Sequence, residues 1–290
     1  MKNRIILCTL VLLPSFYVKA SDSLSVNKNI RRINLIISSK TKKIDPAPLS
    51  FQFQAWVTHL FRRKTFFYIV AASSKEMIAK AQRILDKEHA MIGNIWFDSH
   101  GHFAKRKSLF EIGEDEFNYQ NMSDTSHTKW LAGLSKYCDE FTKAGIGSCY
   151  AGATYSAAAV EAFPARRMNG DSLMMSLSHL LNRATVYASE SWVMSGPGVF
   201  SNSYALSGHP GKRKFKDKVF EPVWQKLGVW NCYEGSTGYF HTVNTVSLDK
   251  RAAIQCLPEN YISKGKHAKC QKKHLEGLKT GRYNLAAMYQ

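Results

Sequence analysis

Residues 65–71, Thr-Phe-Phe-Tyr-Ile-Val-Ala, are almost continuously apolar, the pattern of a strand covered on both faces. Strands of that kind belong to parallel sheets, whose crossover connections are usually helices. The flanking sequence fits. Residues 33–38 and 92–97 are further β-like runs. Ser73 or Ser74 can cap a helix in which Met77, Ile78, Ala81, Ile84 and Leu85 recur at helical spacing. Helical spacing returns in 128–141, 151–163 and 172–181. Residues 144–148 form a weakly apolar fourth strand, 184–189 a fifth, and the acidic stretch 110–121 reads as a hairpin. Strands separated by helices predict an α/β fold, a mainly parallel central sheet flanked by helices on both faces.

Past residue 195 the texture changes. Serine and glycine between 195 and 211 predict a long loop, and 229–256 reads as two or three short antiparallel strands. The tail from 263 is strongly basic. The expected organisation is an N-terminal leader over 1–20, an α/β domain over 21–195, and a β-rich, basic C-terminal part over 196–290 packed on the same domain.

The leader reading rests on three features in order. Lys2 and Arg4 precede an apolar run over 5–18, and Val18-Lys19-Ala20 suits a cleavage site. This predicts an exported protein, periplasmic or secreted. Cys8 follows Leu7 rather than a small residue, which does not suit a lipoprotein cut. No later stretch reaches the ~20 apolar residues of a membrane-spanning helix. Cleavage removes three of the 40 Lys+Arg and none of the 22 Asp+Glu, leaving a net charge of +15. Such a field favours an anionic surface polymer or lipid as partner, or else serves solubility alone. The basic clusters at 212–214 and 264–273 lack the interleaved aromatics of a single-strand nucleic-acid platform, so no specific nucleic acid is expected.

Five cysteines follow the leader: Cys138, Cys149, Cys232, Cys256 and Cys270. The odd count predicts a leftover thiol. Cys149 is the expected free one, with at least one bridge among Cys232, Cys256 and Cys270. No CxxC supports a zinc or thioredoxin site. His100-x-His102 lacks a clear third ligand, so no metal is expected. Glu111, Glu114, Asp115 and Glu116 read as a solvated face rather than a calcium loop.

His100-Gly101 lies directly after the third strand and Cys149 directly after the fourth. In open α/β sheets the carboxyl ends of the strands face the ligand crevice, so neighbouring strands would bring the two together. A thiol beside an imidazole is the minimum equipment for nucleophilic acyl transfer. Glycine next to the histidine permits close backbone approach, and the Gly101 and Cys149 N–H groups could form an oxyanion hole. Asp98 either orients His100 or caps the strand end, and the second reading is preferred. The plain alternatives are a small buried cysteine and a His-Gly turn.

The order strand, Ser99-His100-Gly101, strand, Ser148-Cys149-Tyr150-Ala151-Gly152 resembles the caspase–legumain–gingipain superfamily of cysteine peptidases. The resemblance spans roughly residues 30–195, and Gly152, three after the cysteine, is closer to the legumain spacing. It implies a caspase-like sheet, a peptide or protein substrate and no cofactor. It makes Cys149 the nucleophile, His100 the base and acid, and Gly101 and Cys149 the oxyanion donors. Ser189, Ser195 and Gly196 would lie in a substrate-lining segment after the fifth strand. A helix beginning at Ala151 would favour the Cys149 thiolate. One departure is the strand before Cys149, Ala-Gly-Ile-Gly, which is poor in bulky apolar residues. The competing expectations are a non-catalytic exported binding module for an anionic partner, and an amidase or transpeptidase acting on cell-wall peptides.

Overall fold

Short apolar runs of the first half become strands, and the amphipathic stretches between them become capped helices. In chain order the elements are β1 (Arg32–Ser39), β2 (Phe67–Ala71), α1 (Ser74–Glu88), β3 (Met91–Asp98), β4 (Leu109–Ile112), β5 (Asp115–Asn118), α2 (Thr125–Ala132), β6 (Lys143–Ile146), β7 (Thr154–Tyr155), β8 (Met168–Asn169) and α3 (Gly170–Leu180). They continue with β9 (Thr185–Ser189), β10 (Trp192–Ser195), β11 (Ser203–Pro210), β12 (Pro222–Leu227), β13 (Trp230–Glu234), β14 (Tyr239–Val243), β15 (Val246–Leu248) and β16 (Ile254–Cys256). This computed structural model describes residues 30–40, 56, 59–60, 66–101, 107–155, 168–190, 192–195, 203–210, 222–227, 230–243, 246–249 and 251–256. The leader at 1–20, His102, Gly196, Cys270 and the basic clusters at 212–214 and 264–273 lie outside the described residues.

The main sheet has seven strands in the order β14-β13-β9-β6-β3-β1-β2. The five strands β2-β1-β3-β6-β9 are parallel, and β13 joins antiparallel to β9 with β14 as its hairpin partner. The fold is therefore α/β with a mostly parallel mixed sheet. A second sheet runs β10-β11-β15-β16, with β12 on β11.

Helix starts follow their caps. The Ser73 side chain accepts the Glu76 N–H at 3.2 Å, and Asp115 accepts the Ser74 N–H at 2.7 Å across from the β4–β5 hairpin. Asp124 caps α2 and Asn169 caps α3 in the same way. The alternating faces of the strands then sort the core. Leu35, Ile37, Ile69, Ile95, Phe97, Ile146 and Val186 pack with Met77, Ile78 and Leu85 of α1, Leu131 of α2 and Leu173 and Leu177 of α3. The opposite face holds Ile36, Trp96, Tyr187, Trp230 and Cys232 against Val246, Leu248 and Ile254. Trp56, His59 and Leu60 are helical, and the His59 ring lies 5.8 Å from that of Phe66 on this second face. Here β15 and β16 cover much of the surface where helices were expected.

The glycines of β6 have a steric reason. A Cβ on Gly145 would run into the Trp96 ring, and one on Gly147 would sit 2.7 Å from the indole nitrogen. Trp96 thus lies across β6 and reaches Trp230, with ring centroids 5.8 Å apart.

Three expectations are corrected. Ala151 does not open a helix: residues 151–153 turn, and Thr154–Tyr155 pairs antiparallel with Met168–Asn169. Residues 156–163 lie outside the described residues. The segment 195–211 is not one loop, because Ser203–Pro210 is a strand paired with β10, β12 and β15. Backbone pairing on both edges holds a strand whose side chains have little strand preference. The predicted bridge is absent as well. Cys232 is buried in β13, Cys256 is exposed in β16, and both are free thiols, as are Cys138 and Cys149. Cys232 acts as a small core residue, and burial pushes its thiol up to about 12.

Gly145→Ala should force the buried Trp96 aside. We expect a loss of about 1–3 kcal/mol, read as a lower urea midpoint at unchanged slope. An unaltered midpoint would show that the indole has room to move.

Candidate functional site

β3 and β6 leave the sheet side by side. The Gly147 N–H donates to the Phe97 carbonyl at 2.7 Å, extending the ladder past the end of β6. The Ser99 and Ser148 hydroxyls meet at 2.6 Å, and Ser99 Oγ also accepts the Glu111 N–H at 2.9 Å. One residue after His100, Gly101 rests directly on the Cys149 backbone, where any Cβ would collide with the Cys149 amide nitrogen and carbonyl. The structure thus brings Gly101 and Cys149 together, with the half-buried His100 next to them. The location is next to the sheet's switch point, which falls between β1 and β3, since β1 is followed by β2 on one side and β3 on the other.

The Cys149 sulfur is clasped by β10. Its thiol donates to the Val193 carbonyl at 3.7 Å, and the Val193 N–H donates to the sulfur at 3.3 Å. The residue as a whole keeps some solvent exposure, yet its sulfur is desolvated. That desolvation pushes the thiol up to about 11, against the opposing pull of the Val193, Cys149 and Gly101 N–H groups. The expectation of a lowered thiol pKa is therefore corrected. Burial outweighs three amide donors, and no helix N-terminus stands behind the sulfur, because Tyr150 turns through a left-handed φ of 60°. The Gly101 and Cys149 N–H groups weigh less on the thiol than Val193, whose N–H and carbonyl are the sulfur's hydrogen-bond partners among the described residues.

Of the expected lining residues, Ser189 is fully buried at the end of β9. Its carbonyl accepts the Gly152 N–H at 2.8 Å, which ties the end of β9 to the cysteine segment. Ser195 ends β10, two residues past Val193, and Gly196 lies outside the described residues. Asn231 fixes the same segment, donating to the Gly152 carbonyl at 2.8 Å and to Glu190 at 3.0 Å. Neither Val193 nor Asn231 stood out in the sequence. Both come from strands that pairing alone brings to the site.

Asp98 ends β3 opposite Ser38 of β1 and is 9 % exposed. Its carboxyl accepts a long 3.5 Å hydrogen bond from Ser38 Oγ, a partner on β1 rather than His100. Burial raises its pKa to about 8, with the Ser38 hydrogen bond opposing. Burial likewise raises the Tyr68 hydroxyl, with Ser38 opposing and the Asp98 charge adding to the rise. Among the described residues no group of three or more His, Cys, Asp or Glu side chains could hold a metal ion. No described helix is long and apolar enough to cross a membrane.

Two measurements follow from these burial effects. Alkylation of Cys149 by iodoacetamide, followed by mass spectrometry, should be slower at pH 7 than that of a free thiol. It should keep climbing about tenfold per pH unit to near pH 11, whereas a plateau below pH 8 would contradict the desolvated thiol. For Asp98 the folded pKa lies above the unfolded one, near 3.8. Its proton therefore stabilises the fold at low pH, and that contribution is lost as pH rises from about 4 to 8, by at most about 1.4 kcal/mol per unit. Asp98→Asn should flatten this part of the urea-stability profile, and an unchanged slope would mean the carboxyl is solvated. Neither protein-family models nor curated proteins match this chain, so what the site can do rests on its own geometry.

Proposed function

We propose that this chain is an exported cysteine peptidase of the caspase–legumain–gingipain kind, hydrolysing peptide bonds through Cys149 and His100. The seat of Gly101 on the Cys149 backbone, which puts the residue after His100 against the cysteine, is the main support. The strand order, with His100-Gly101 after β3 and Cys149 after the adjacent parallel β6, agrees with it. Export rests on the leader pattern of residues 1–20.

Because the resting thiol is neutral, proton transfer accompanies attack. Cys149 Sγ bonds to the scissile carbonyl carbon while His100 takes the thiol proton. The charge that develops on the carbonyl oxygen is held by the Gly101 and Cys149 N–H groups, each such donor typically contributing ~10²–10³ in rate. Collapse breaks the C–N bond, and His100 returns its proton to the leaving amine. Water then attacks the thioester, giving one proton to His100, and the acid product leaves as that proton goes back to sulfur. No cofactor enters these steps. Peptide and protein chains are the substrate class.

A second reading is favoured by one observation. The Val193 clasp and the raised thiol pKa suit a non-catalytic module of the same fold, whose basic excess would hold an anionic partner such as a surface polymer or lipid.

A peptide library separates the two readings. Hydrolysis by wild type should vanish in Cys149→Ala, with circular dichroism unchanged. It should fall by roughly 10²–10⁴ in His100→Ala, the usual worth of general acid–base catalysis. Full activity in Cys149→Ala would put the nucleophile elsewhere. No cleavage at all, with binding to anionic vesicles, would favour the binding module.

A further inference from the structure

The outer face of α1 and α2 carries charge that the fold does not use. Lys75, Ala79, Arg83 and Lys87 recur every four residues along α1, and all four are exposed. At helical rise they span about 18 Å on one side of the helix. α2 packs beside α1, so closely that a Cβ on Gly133, at its end, would sit 3.0 Å from Ile78. The chain through α2 and the turn after it adds the exposed Lys129 and Lys136.

None of these cations forms an ion pair among the described residues, although carboxylates lie on the same elements. Glu76 is held by Lys80 and Glu88 by Arg31, each at 2.6 Å, and Asp124 caps α2. Asp86 opposes the cations from further off, with the Tyr137 hydroxyl on its carboxyl. The half-buried Trp130 stands between two of them: the Lys75 and Lys129 ammonium groups lie 5.6 and 5.0 Å from its ring centroid. Such contacts at an exposed site are weak and leave the ammonium groups able to turn to an anion.

Cations set evenly along a straight, rigid face match a planar array of phosphates, whereas one small anion would engage at most two of them. An indole with lysine stems over it is suited to a membrane–water interface, with the ring at headgroup depth and the ammonium groups among the phosphates. A soluble polyanion would answer the charge but has no apolar layer for the ring. We propose that the α1–α2 face is a peripheral docking surface for an anionic phospholipid bilayer. Lys75, Arg83, Lys87, Lys129 and Lys136 contact the headgroup phosphates, and Trp130 lies at headgroup level. The proposal does not depend on peptide hydrolysis, since this face belongs to the side of the sheet opposite Val193.

Flotation of the full chain with vesicles of equal phosphatidylglycerol and phosphatidylcholine tests it. Vesicles of phosphatidylcholine alone control for adsorption through apolar segments. Wild type should float with the anionic vesicles at 0.1 M salt and be released at about 0.5 M. Lys75→Gln, Arg83→Gln and Lys87→Gln should each weaken binding about fivefold, and about 100-fold together, from about 1 kcal/mol per cation at an anionic surface. These side chains are exposed, so circular dichroism should stay unchanged, and Lys75→Arg with Lys87→Arg should keep full affinity. Brominated phosphatidylglycerol should quench tryptophan fluorescence in wild type and much less in Trp130→Phe. No preference for anionic vesicles overturns the proposal. So does full binding by the triple Gln variant, which would place the contact on basic residues elsewhere in the chain. Binding to soluble dextran sulfate as tight as to vesicles, with no quenching of Trp130, would replace the bilayer by a polymer and overturn it as well. Peptide cleavage is not read in any of these measurements, so the peptidase reading stands or falls separately.

Discussion

The indole of Trp96 lies flat across β6, and the bare backbone at Gly145 and Gly147 is what leaves room for it. Because these two positions lack side chains, the ring can bridge from β3 over β6 to Trp230. The pairing then runs on past the strand ends, through the Gly147 N–H to Phe97 and the Ser99–Ser148 hydroxyl contact, until Gly101 meets the Cys149 backbone. The site is the continuation of a packing arrangement. A bulky residue anywhere along that line would separate the two segments by the width of a side chain.

Desolvation is the dominant electrostatic effect at this edge. Cys149 and Asp98 are both buried ionisable groups, and burial favours the neutral form of each. For the thiol this means that little thiolate is present at neutral pH. For the carboxyl it means that the proton is kept to well above the usual carboxylate range. One low-dielectric environment therefore keeps both groups neutral over a wider pH range than they would have in water.

The five parallel strands were legible because each announces itself locally. The apolar run of β2 marks a strand, although it takes the edge of the sheet with only Ile69 and Ala71 fully buried, and α1 shows its cap and its apolar stripe at 3.6-residue spacing. The adjacency of His100-Gly101 and Cys149 follows from that alternation and the right-handed crossovers between parallel strands. Residues 151–163 carry the same helical spacing, yet the chain turns after Cys149. Gly152 is held by the Ser189 carbonyl and Asn231, partners 37 and 79 residues away in sequence that no local pattern can register. The glycine-rich β6 looked weak as a strand for the same reason. Its packing is supplied by Trp96, on another strand.

By itself the sequence determined the α/β class, the main helix positions and the chemical pair at the ends of two strands, because these depend on periodicities within a few residues. Only the tertiary structure decided the environment of that pair. The Val193 clasp on the sulfur, the burial that raises the Cys149 and Asp98 pKa values, the free state of Cys232 and Cys256, and the strand at Ser203–Pro210 all arise from contacts between distant segments. Such contacts set local dielectric and backbone pairing, which residue identity does not encode until the chain has closed on itself.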